Sequence, residues 1–329
     1  MDRDRLSDGL CSPQIEIEAR QLPGTVCRLG GADCPLIDEQ AARAVLNAVK
    51  ANPAVAIRLT SDADSIPHHS RLTPEDYAET DTQDALNRKR DLDVLQRLGL
   101  LPGDTRRARY LYDLLFHRIE TLRGICAHDT PGWEGCPLAR SGAYESVRQQ
   151  GFSAVVYLRP QEEKDEYRRR SAKVAAEGDC ISVRAHHFLC MACWYNGGEH
   201  GGERPEDTIY EIWERIRREP DVPVRIVEGC CDACDCCDGF HPATTRCVHP
   251  GGLIRDLKKD LDVLQKVGLK PGAVLPARQF IELMFERIAT TVEVCGYGDG
   301  VVRSNEWAIC SGPEGNEGYE RSRETGMLG

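Results

Sequence analysis

The pattern of apolar and polar residues is clearest in the second half of the chain. Segment 181–185 alternates between the two classes, which predicts a strand, and a second strand is predicted at 222–227. Between them, segment 206–218 repeats its apolar residues every three or four positions, which predicts an amphipathic helix. These apolar residues are Ile209, Ile212, Trp213 and Ile216.

Two further helices are predicted after the second strand. The leucines from Leu253 to Leu264 lie on one helical face, and this helix is predicted to end at Gly268, ahead of Pro271. The other helix is predicted over 276–291. The second half of the chain therefore has the order β-α-β-loop-α-α, with a crossover helix between its strands.

The same order occurs twice along the chain. The sequence DLDVLQRLGL at 91–100 recurs as DLDVLQKVGL at 260–269, with eight identical residues in ten, and Cys126 then matches Cys295. We predict a tandem repeat of two β-α-β-loop-α-α units that form a pseudo-symmetric pair, of the α/β or α+β class.

The repeat predicts two domains. The first, 1–177, is a degenerate repeat that ends in a highly charged linker helix at 161–177, preceded by a strand at 153–158. The second, 178–329, is a cysteine-rich repeat that binds metal.

Charge and composition restrict the partners of the chain. A formal net charge of -11 and a pI near 5.4 argue against nucleic acid, because phosphate binding requires clustered Lys and Arg. No segment approaches the roughly 20 apolar residues of a membrane span, and the charged first residues do not resemble a secretory signal. We therefore expect a cytoplasmic protein without a nucleic-acid or membrane partner.

Five of the sixteen cysteines fall within the eight positions 230–237, in the sequence EGCCDACDCCDGF. A disulfide knot, a structural zinc site and an iron-sulfur cluster are the competing explanations. The disulfide knot is the weakest, because a reducing cytoplasm keeps thiols free unless a metal holds them. A chain of 329 residues also buries a core without covalent staples.

The spacing Cys231-x-x-Cys234-x-x-Cys237 suits three thiolates around one iron-sulfur cluster, with a further ligand from a distant segment. Zinc also uses Cys-x-x-Cys pairs, but the surplus of thiols favours iron. We predict a 4Fe-4S cluster, with zinc as the alternative. The predicted ligands are Cys231, Cys234, Cys247 and one of Cys295 or Cys310, with Cys237 as a substitute.

His186 and His187 follow the first strand of the second unit. Adjacent side chains on a strand point in different directions, so we expect one histidine to face the site and the other the core. The histidine at the site would be a metal ligand or a proton donor, unless it only hydrogen-bonds a backbone carbonyl. Cys190 and Cys193 form another Cys-x-x-Cys pair, suited to redox chemistry or to a second metal site.

The first unit has no cysteine at 61–70, the segment that corresponds to the cysteine-rich loop. It carries Cys27, Cys126 and Cys136 elsewhere, and the sequence leaves open whether these three residues bind metal.

Four motifs of the second unit also occur together in a known family. They are Arg184-Ala-His-His-Phe-Leu-Cys190, the Cys231 and Cys234 pair with Cys247, Val267-Gly-Leu-Lys-Pro-Gly272, and the closing Cys295 and Cys310. Over roughly 180–312 the chain thereby resembles a prokaryotic family, domain of unknown function 1284. It departs from the family pattern at Ala185, where proline is usual, and at Gly298, where a second cysteine is common. The resemblance implies cysteine-bound metal, above all an iron-sulfur cluster, and no particular reaction.

Three functions are compatible with these residues. The first is an iron-sulfur protein with a redox or electron-transfer role and a redox partner protein; its loop carboxylates would hold the potential of the cluster low. The second is a zinc-stabilised binding scaffold without catalytic activity. The third is an enzyme whose cluster keeps one iron open, with His186 or His187 as the acid-base group.

Overall fold

The structure of the protein, a computed structural model, describes residues 15–64, 71, 73–75, 81–195, 202–295, 307 and 317–328. The chain divides into two compact units, Met1–Leu158 and Arg159–Gly329. Helices and strands are mixed in both units, as the α/β or α+β class predicts. Among the described residues, no helix has both the length and the apolar character that crossing a membrane requires.

The first unit contains a small sheet and the helices around it. In chain order its elements are β1 (Ile15–Glu18), α1 (Gln21–Leu29), α2 (Glu39–Ala51), β2 (Ala56–Thr60), α3 (Thr82–Leu98), β3 (Thr105–Arg107), α4 (Ala108–Arg118) and α5 (Ala143–Gln150). Strand β1 is parallel to β2, with Ile15 opposite Ile57, and β3 is antiparallel to β2, with Arg107 opposite Ala56.

The second unit has a sheet of the same order and a separate two-stranded hairpin. Its elements are α6 (Gln161–Glu177), β4 (Ile181–Arg184), α7 (His187–Trp194), α8 (Ile209–Arg218), β5 (Pro223–Val227), β6 (Phe240–His241), β7 (Arg246–Cys247), α9 (Pro250–Val267), β8 (Val274–Pro276), α10 (Ala277–Arg287), α11 (Val292–Cys295) and α12 (Glu317–Thr325). Strand β4 is parallel to β5, β8 is antiparallel to β5, and β6 pairs with β7.

The repeated sequence DLDVLQ ends a helix in the same way in both units. Gly99 after α3 and Gly268 after α9 adopt left-handed backbone angles, with φ of 70° and 73°. Each glycine N–H donates to carbonyl groups of the last helical turn, which satisfies groups that the helix leaves unpaired. A residue with a Cβ would be strained at these two positions.

Each unit buries a core of its own. In the first unit Ile57 and Leu59 of the sheet and Leu111 of α4 belong to one hydrophobic core, and all three are fully buried. In the second unit the rings of Phe188 and Phe280 lie 4.5 Å apart, also fully buried. Burying one such side chain contributes about 1.5 to 3 kcal/mol.

The predicted strand at 153–158 is wrong. The chain forms one turn of 3-10 helix at Phe152–Ala154 and continues without regular structure. Val155 and Val156 are both fully buried in the core of the first unit, whereas adjacent residues of a strand face opposite sides. The apolar character of this segment therefore serves core packing.

The predicted helix at 161–177 is confirmed as α6, and it packs within the second unit. The buried Ser171 hydroxyl lies 2.7 Å from the hydroxyl oxygen of Thr208, which precedes α8. The boundary between the two units therefore lies between Leu158 and Arg159, at the start of α6. The sequence predicts it at the end of this helix.

Candidate metal centre

The cysteine loop, residues 228–239, connects β5 to β6 through consecutive tight turns. In each turn a backbone N–H donates to the carbonyl three residues earlier: Cys234 to Cys231 at 2.9 Å, Cys237 to Cys234 at 2.9 Å, and Phe240 to Cys237 at 3.0 Å. A turn of this length brings residues spaced by three close together, which is why Cys-x-x-Cys pairs suit metal ions.

Groups from other segments hold the loop in place. The backbone N–H of Ser182 in β4 donates to the Asp232 carboxylate at 2.7 Å. From the other side, the Arg159 guanidinium donates to the carbonyl oxygens of Asp235 at 2.5 Å and Cys237 at 3.0 Å. Hydrogen bonds from β4 and from Arg159 thus hold the backbone of the loop in place.

The hairpin of β6 and β7 returns Cys247 to the loop. Cys247 pairs with Phe240, and the N–H of Val248 donates to the carbonyl of Gly239 at 2.6 Å. A Cβ on Gly239 would lie only 2.7 Å from the Cβ of His249, so the close approach of the two segments requires glycine.

Several metal-ligating groups lie side by side at the start of the loop. The Sγ of Cys231 is 3.7 Å from the Sγ of Cys234 and 3.4 Å from the Nδ1 of His187, the first residue of α7. The Cys230 thiol also hydrogen-bonds Cys234.

A cavity of about 310 Å³ opens beside these groups. Four cysteines line it: Cys230, Cys234, Cys237 and Cys247. Cys230 and Cys237 lie near opposite ends of the loop, and Cys234 lies between them. Cys247 belongs to the hairpin. The loop and the hairpin thus present thiols to one space.

The wall of the cavity also carries positive charge. Arg184, the last residue of β4, is almost fully buried and donates from Nε to Asp260 at 2.7 Å. Its Nη2 atom is buried without a hydrogen-bond partner. Because an unpaired buried donor costs free energy, an anion in the cavity would stabilise this guanidinium. Arg204 and Arg255 also line the wall, but each is paired with a carboxylate of the same wall, Arg204 with Glu206 at 2.9 Å and Arg255 with Asp256 at 2.7 Å.

The thiols of the site differ in their readiness to ionise. Burial raises the pKa of Cys237 to about 11 and that of Cys247 to about 12. Cys234 is different, because hydrogen bonds from Cys230 and Cys231 hold its pKa well below the ordinary value. The protein therefore favours a thiolate at Cys234, the form that binds metals.

His186 and His187 have separate roles. Burial lowers the pKa of His187 to about 3, so its ring is neutral beside Cys231. The Nδ1 of His186 lies 2.7 Å from Asp260 in a buried junction that also includes Arg184. His187 lines the cavity, and His186 is committed to Asp260.

The other predicted ligands lie elsewhere. Cys295 ends α11, is buried, and does not line the cavity; with Cys193 it lies near Tyr319. Cys190 and Cys193 are three positions apart on α7, and neither lines the cavity. Cys310 lies outside the described residues.

The length of α9 explains why Cys295 does not join Cys247. This helix begins at Pro250, just after Cys247, and Lys266 near its other end forms a 2.7 Å ion pair with Glu293 of α11. The intervening helix spans about 24 Å at 1.5 Å per residue. Cys295 therefore lies at the end of α9 that is far from the hairpin.

Two residues of the site are absent from the predicted ligand set. Cys230 directly precedes the Cys-x-x-Cys motif, and its sequence position does not show which cysteine of an adjacent pair faces the cavity. Arg184 stands at the end of a strand, two residues before His186. A basic residue at a strand end beside the histidine pair is the signal that could have indicated it.

No group of three or more His, Cys, Asp or Glu side chains in the described part of the chain could hold a metal ion as the side chains stand. The four thiols surround the cavity without meeting at one point. No family model, no curated protein and no solved structure matches this chain. The resemblance to domain of unknown function 1284 therefore stays a prediction.

Proposed function

We propose that the second unit binds an iron-sulfur cluster, of the 4Fe-4S type, in the cavity beside the cysteine loop. The protein would use this cluster for electron transfer with a redox partner protein in the cytoplasm. The proposed ligands are Cys230, Cys234, Cys237 and Cys247. This set differs from the predicted one, because Cys231 and Cys295 do not line the cavity.

The observation that carries the proposal is a cavity of about 310 Å³ with four thiols and the unpaired Nη2 of Arg184 in its wall. A single zinc ion is enclosed by ligands about 2.3 Å away and needs no such space. A cluster of several irons and sulfides does need it. With four thiolates the cluster is an anion, which suits the buried Nη2 of Arg184 that lacks a hydrogen-bond partner.

A bound cluster supplies one-electron redox chemistry, and the surrounding residues set its conditions. Arg184 places a buried positive charge beside it, which opposes the effect of the loop carboxylates on the potential. Asp232 is engaged by the backbone N–H of Ser182, so that carboxylate is directed toward β4. The reduction potential of the cluster should therefore lie above the low value expected from the carboxylates alone.

A zinc-stabilised scaffold is the second candidate, and one observation favours it. Two ligands about 2.3 Å from one zinc ion at a tetrahedral angle lie about 3.8 Å apart. The distance of 3.7 Å between the Sγ atoms of Cys231 and Cys234 matches this edge, and the Nδ1 of His187 lies 3.4 Å from the Sγ of Cys231. In that case the metal would lock the loop to α7 and carry no electrons.

An enzyme with an open cluster iron receives less support. A general acid has to hold a proton near neutral pH, and burial lowers the pKa of His187 far below that range. His186 is directed to Asp260. Neither histidine is therefore placed as a proton donor to the cavity.

The proposal is tested by anaerobic purification of the full chain, followed by iron, sulfide and zinc analysis and a visible absorption spectrum. We expect about four irons and four sulfides per chain, as a 4Fe-4S cluster contains, and broad visible absorption. Cys234→Ser should remove both, because Cys234 holds the favoured thiolate. Cys180→Ser is the matched control, since Cys180 is a partly buried thiol of the same unit that does not line the cavity.

A colourless protein whose zinc is lost on Cys231→Ser substitution would replace the cluster with the zinc scaffold. Both candidates would be overturned by a chain that takes up no cluster on anaerobic reconstitution with iron and sulfide and that, when supplied with zinc, binds none that Cys231→Ser removes.

A further inference from the structure

All four cysteines that the structure describes in the first unit surround one small void. They come from separate parts of the unit: α1, the turn after it, and the connection between α4 and α5. The void measures about 10 Å³, room for roughly one atom the size of a water oxygen. Its four cysteines are Cys27, Cys34, Cys126 and Cys136.

The backbone of the first unit is built to bring these segments together. The N–H of Cys136 donates to the carbonyl of Cys126 at 2.6 Å. A Cβ on Gly135 would lie 2.2 Å from the same carbonyl oxygen, so the approach requires glycine. On the other side, the Arg28 guanidinium donates to the carbonyl of Cys34 at 2.7 Å and fixes the turn after α1.

Ordinary core packing does not explain this arrangement. A buried free cysteine usually acts as a small hydrophobe, and its neighbours are then aliphatic side chains. Here four thiols from three separate segments line one void. The rest of the lining is largely apolar and includes Pro23, Leu122 and Leu138. Four thiols brought to one void from three segments are more than filling an apolar core requires.

We propose that Cys27, Cys34, Cys126 and Cys136 bind one tetrahedral metal ion, for which zinc is the chemically matched choice. Four thiolates with no open position form the closed set of a structural zinc site. As the side chains stand they surround the void without converging, so the ion would draw them inward by rotation about the Cα–Cβ bonds. Each thiol that is still protonated releases its proton to solvent on binding.

The size of the void separates this site from the cavity of the second unit. About 10 Å³ admits one ion and excludes a cluster, whereas about 310 Å³ admits a cluster. The ion in the first unit would tie α1 to the segment after α4. It would stabilise the unit and take no part in electron transfer.

The second unit has thiols in related surroundings. Cys193 and Cys295 lie near Tyr319, whose hydroxyl donates to the carbonyl of Ile288 at 2.9 Å. In the first unit Cys27 lies near Tyr144, whose hydroxyl donates to the carbonyl of Ile119 at 2.7 Å. The tyrosine thus anchors a thiol-bearing region in each unit.

The test is metal analysis of the full chain with single substitutions. We expect about one zinc per chain in addition to iron. Cys34→Ser and Cys126→Ser should each remove that zinc and leave iron, sulfide and visible absorption unchanged. Cys234→Ser should do the reverse, and Cys180→Ser should change neither. The two proposals therefore fail separately.

A measurement on the unsubstituted chain keeps the proposal testable if the variants do not fold. Thiols that react with Ellman's reagent in the native state should increase by about four when a zinc chelator is added. X-ray absorption at the zinc edge should show four sulfur neighbours at about 2.3 Å. Full retention of zinc in both first-unit variants would overturn the proposal, as would a Cys27–Cys34 disulfide in a zinc-free native chain.

Discussion

The two units surround a space with four thiols each, yet the spaces differ about thirtyfold in volume. In the first unit the thiols are backed by proline, leucine and alanine, and in the second by arginine, histidine and aspartate. The number of cysteines around a space therefore does not identify the kind of metal site. Under the two proposals, the volume that the backbone leaves between the thiols is what separates a site for one ion from a site for a cluster.

A second contrast lies at a buried aspartate in each unit, Asp91 in the first and Asp260 in the second. Asp260 accepts hydrogen bonds from Arg184 and His186, whereas Asp91 at the matching place in the repeated sequence accepts them, among the described residues, from Arg20. Burial by itself raises the pKa of both. In Asp260 the neighbouring His186 and Arg184 hold the pKa below its ordinary value, whereas burial raises that of Asp91 to about 6.

The largest effect should come from removing the charge of Asp260. Asp260→Asn leaves Arg184 buried without its counterion, and breaking such a pair costs about 3 to 5 kcal/mol. Asp91→Asn is the matched substitution, and it should cost clearly less, because Arg20 also pairs with Glu18. Urea unfolding of the full chain, read by pulsed hydrogen exchange and peptide mass spectrometry, measures each unit separately. If Asp260→Asn and Asp91→Asn lower the free energy of unfolding of their units equally, the two aspartates do not differ as expected.

A smaller effect is expected at the close approach of the hairpin to the loop. Gly239→Ala places a Cβ 2.7 Å from that of His249, and forcing such a contact costs about 1 to 3 kcal/mol. It should also lower the cluster content, since Cys247 is displaced from Cys237. Gly202→Ala is the control, because its new Cβ meets nothing within 4 Å. Iron analysis and the unfolding midpoint measure the two consequences. Full iron occupancy in Gly239→Ala would show that the position of the hairpin does not affect cluster binding.

The smallest effect is a difference in pH dependence. The folded-state pKa of Asp91, about 6, lies above the unfolded value near 3.8, so Asp91 stabilises the first unit at low pH. That contribution is lost as the pH rises from about 4 to 6, with a slope of at most about 1.4 kcal/mol per pH unit. The pKa of Asp260 is lowered, so its contribution is present above its unfolded pKa and is lost as the pH falls through the folded value.

Unfolding of the first unit at pH 4, 5 and 6 measures this slope. Asp91→Asn should flatten it, whereas Asp260→Asn should leave it unchanged. A first-unit slope that is identical with and without Asp91 would assign the pH dependence to other groups.

Much of the secondary structure can be predicted from the sequence because it depends on periodicity. The strand at 181–184, the helix that ends at Gly268 and the charged helix α6 all follow their patterns. Helix α7 is not predicted, because its eight residues are nearly all apolar and show no polar face. Strand β8 is only three residues long and exists through its pairing with β5.

The candidate site can be predicted only in part for a related reason. Turn spacing brings Cys231 and Cys234 together, and that spacing is local in sequence. The distance from Cys247 to Cys295 depends on the path of α9, which is a property of tertiary packing. Cys34 is missed because the repeated sequence offers no matching cysteine, and only the fold brings it to Cys126.

The anchoring of the loop by Arg159 has a consequence for biosynthesis. The guanidinium is translated 76 residues before the carbonyl of Asp235 that it holds. When the five loop cysteines leave the ribosome, the clamp that shapes their backbone has already emerged. A recombinant fragment that begins at residue 178 would lack Arg159, so nothing would hold the carbonyl groups of Asp235 and Cys237 in this way when the loop cysteines bind metal.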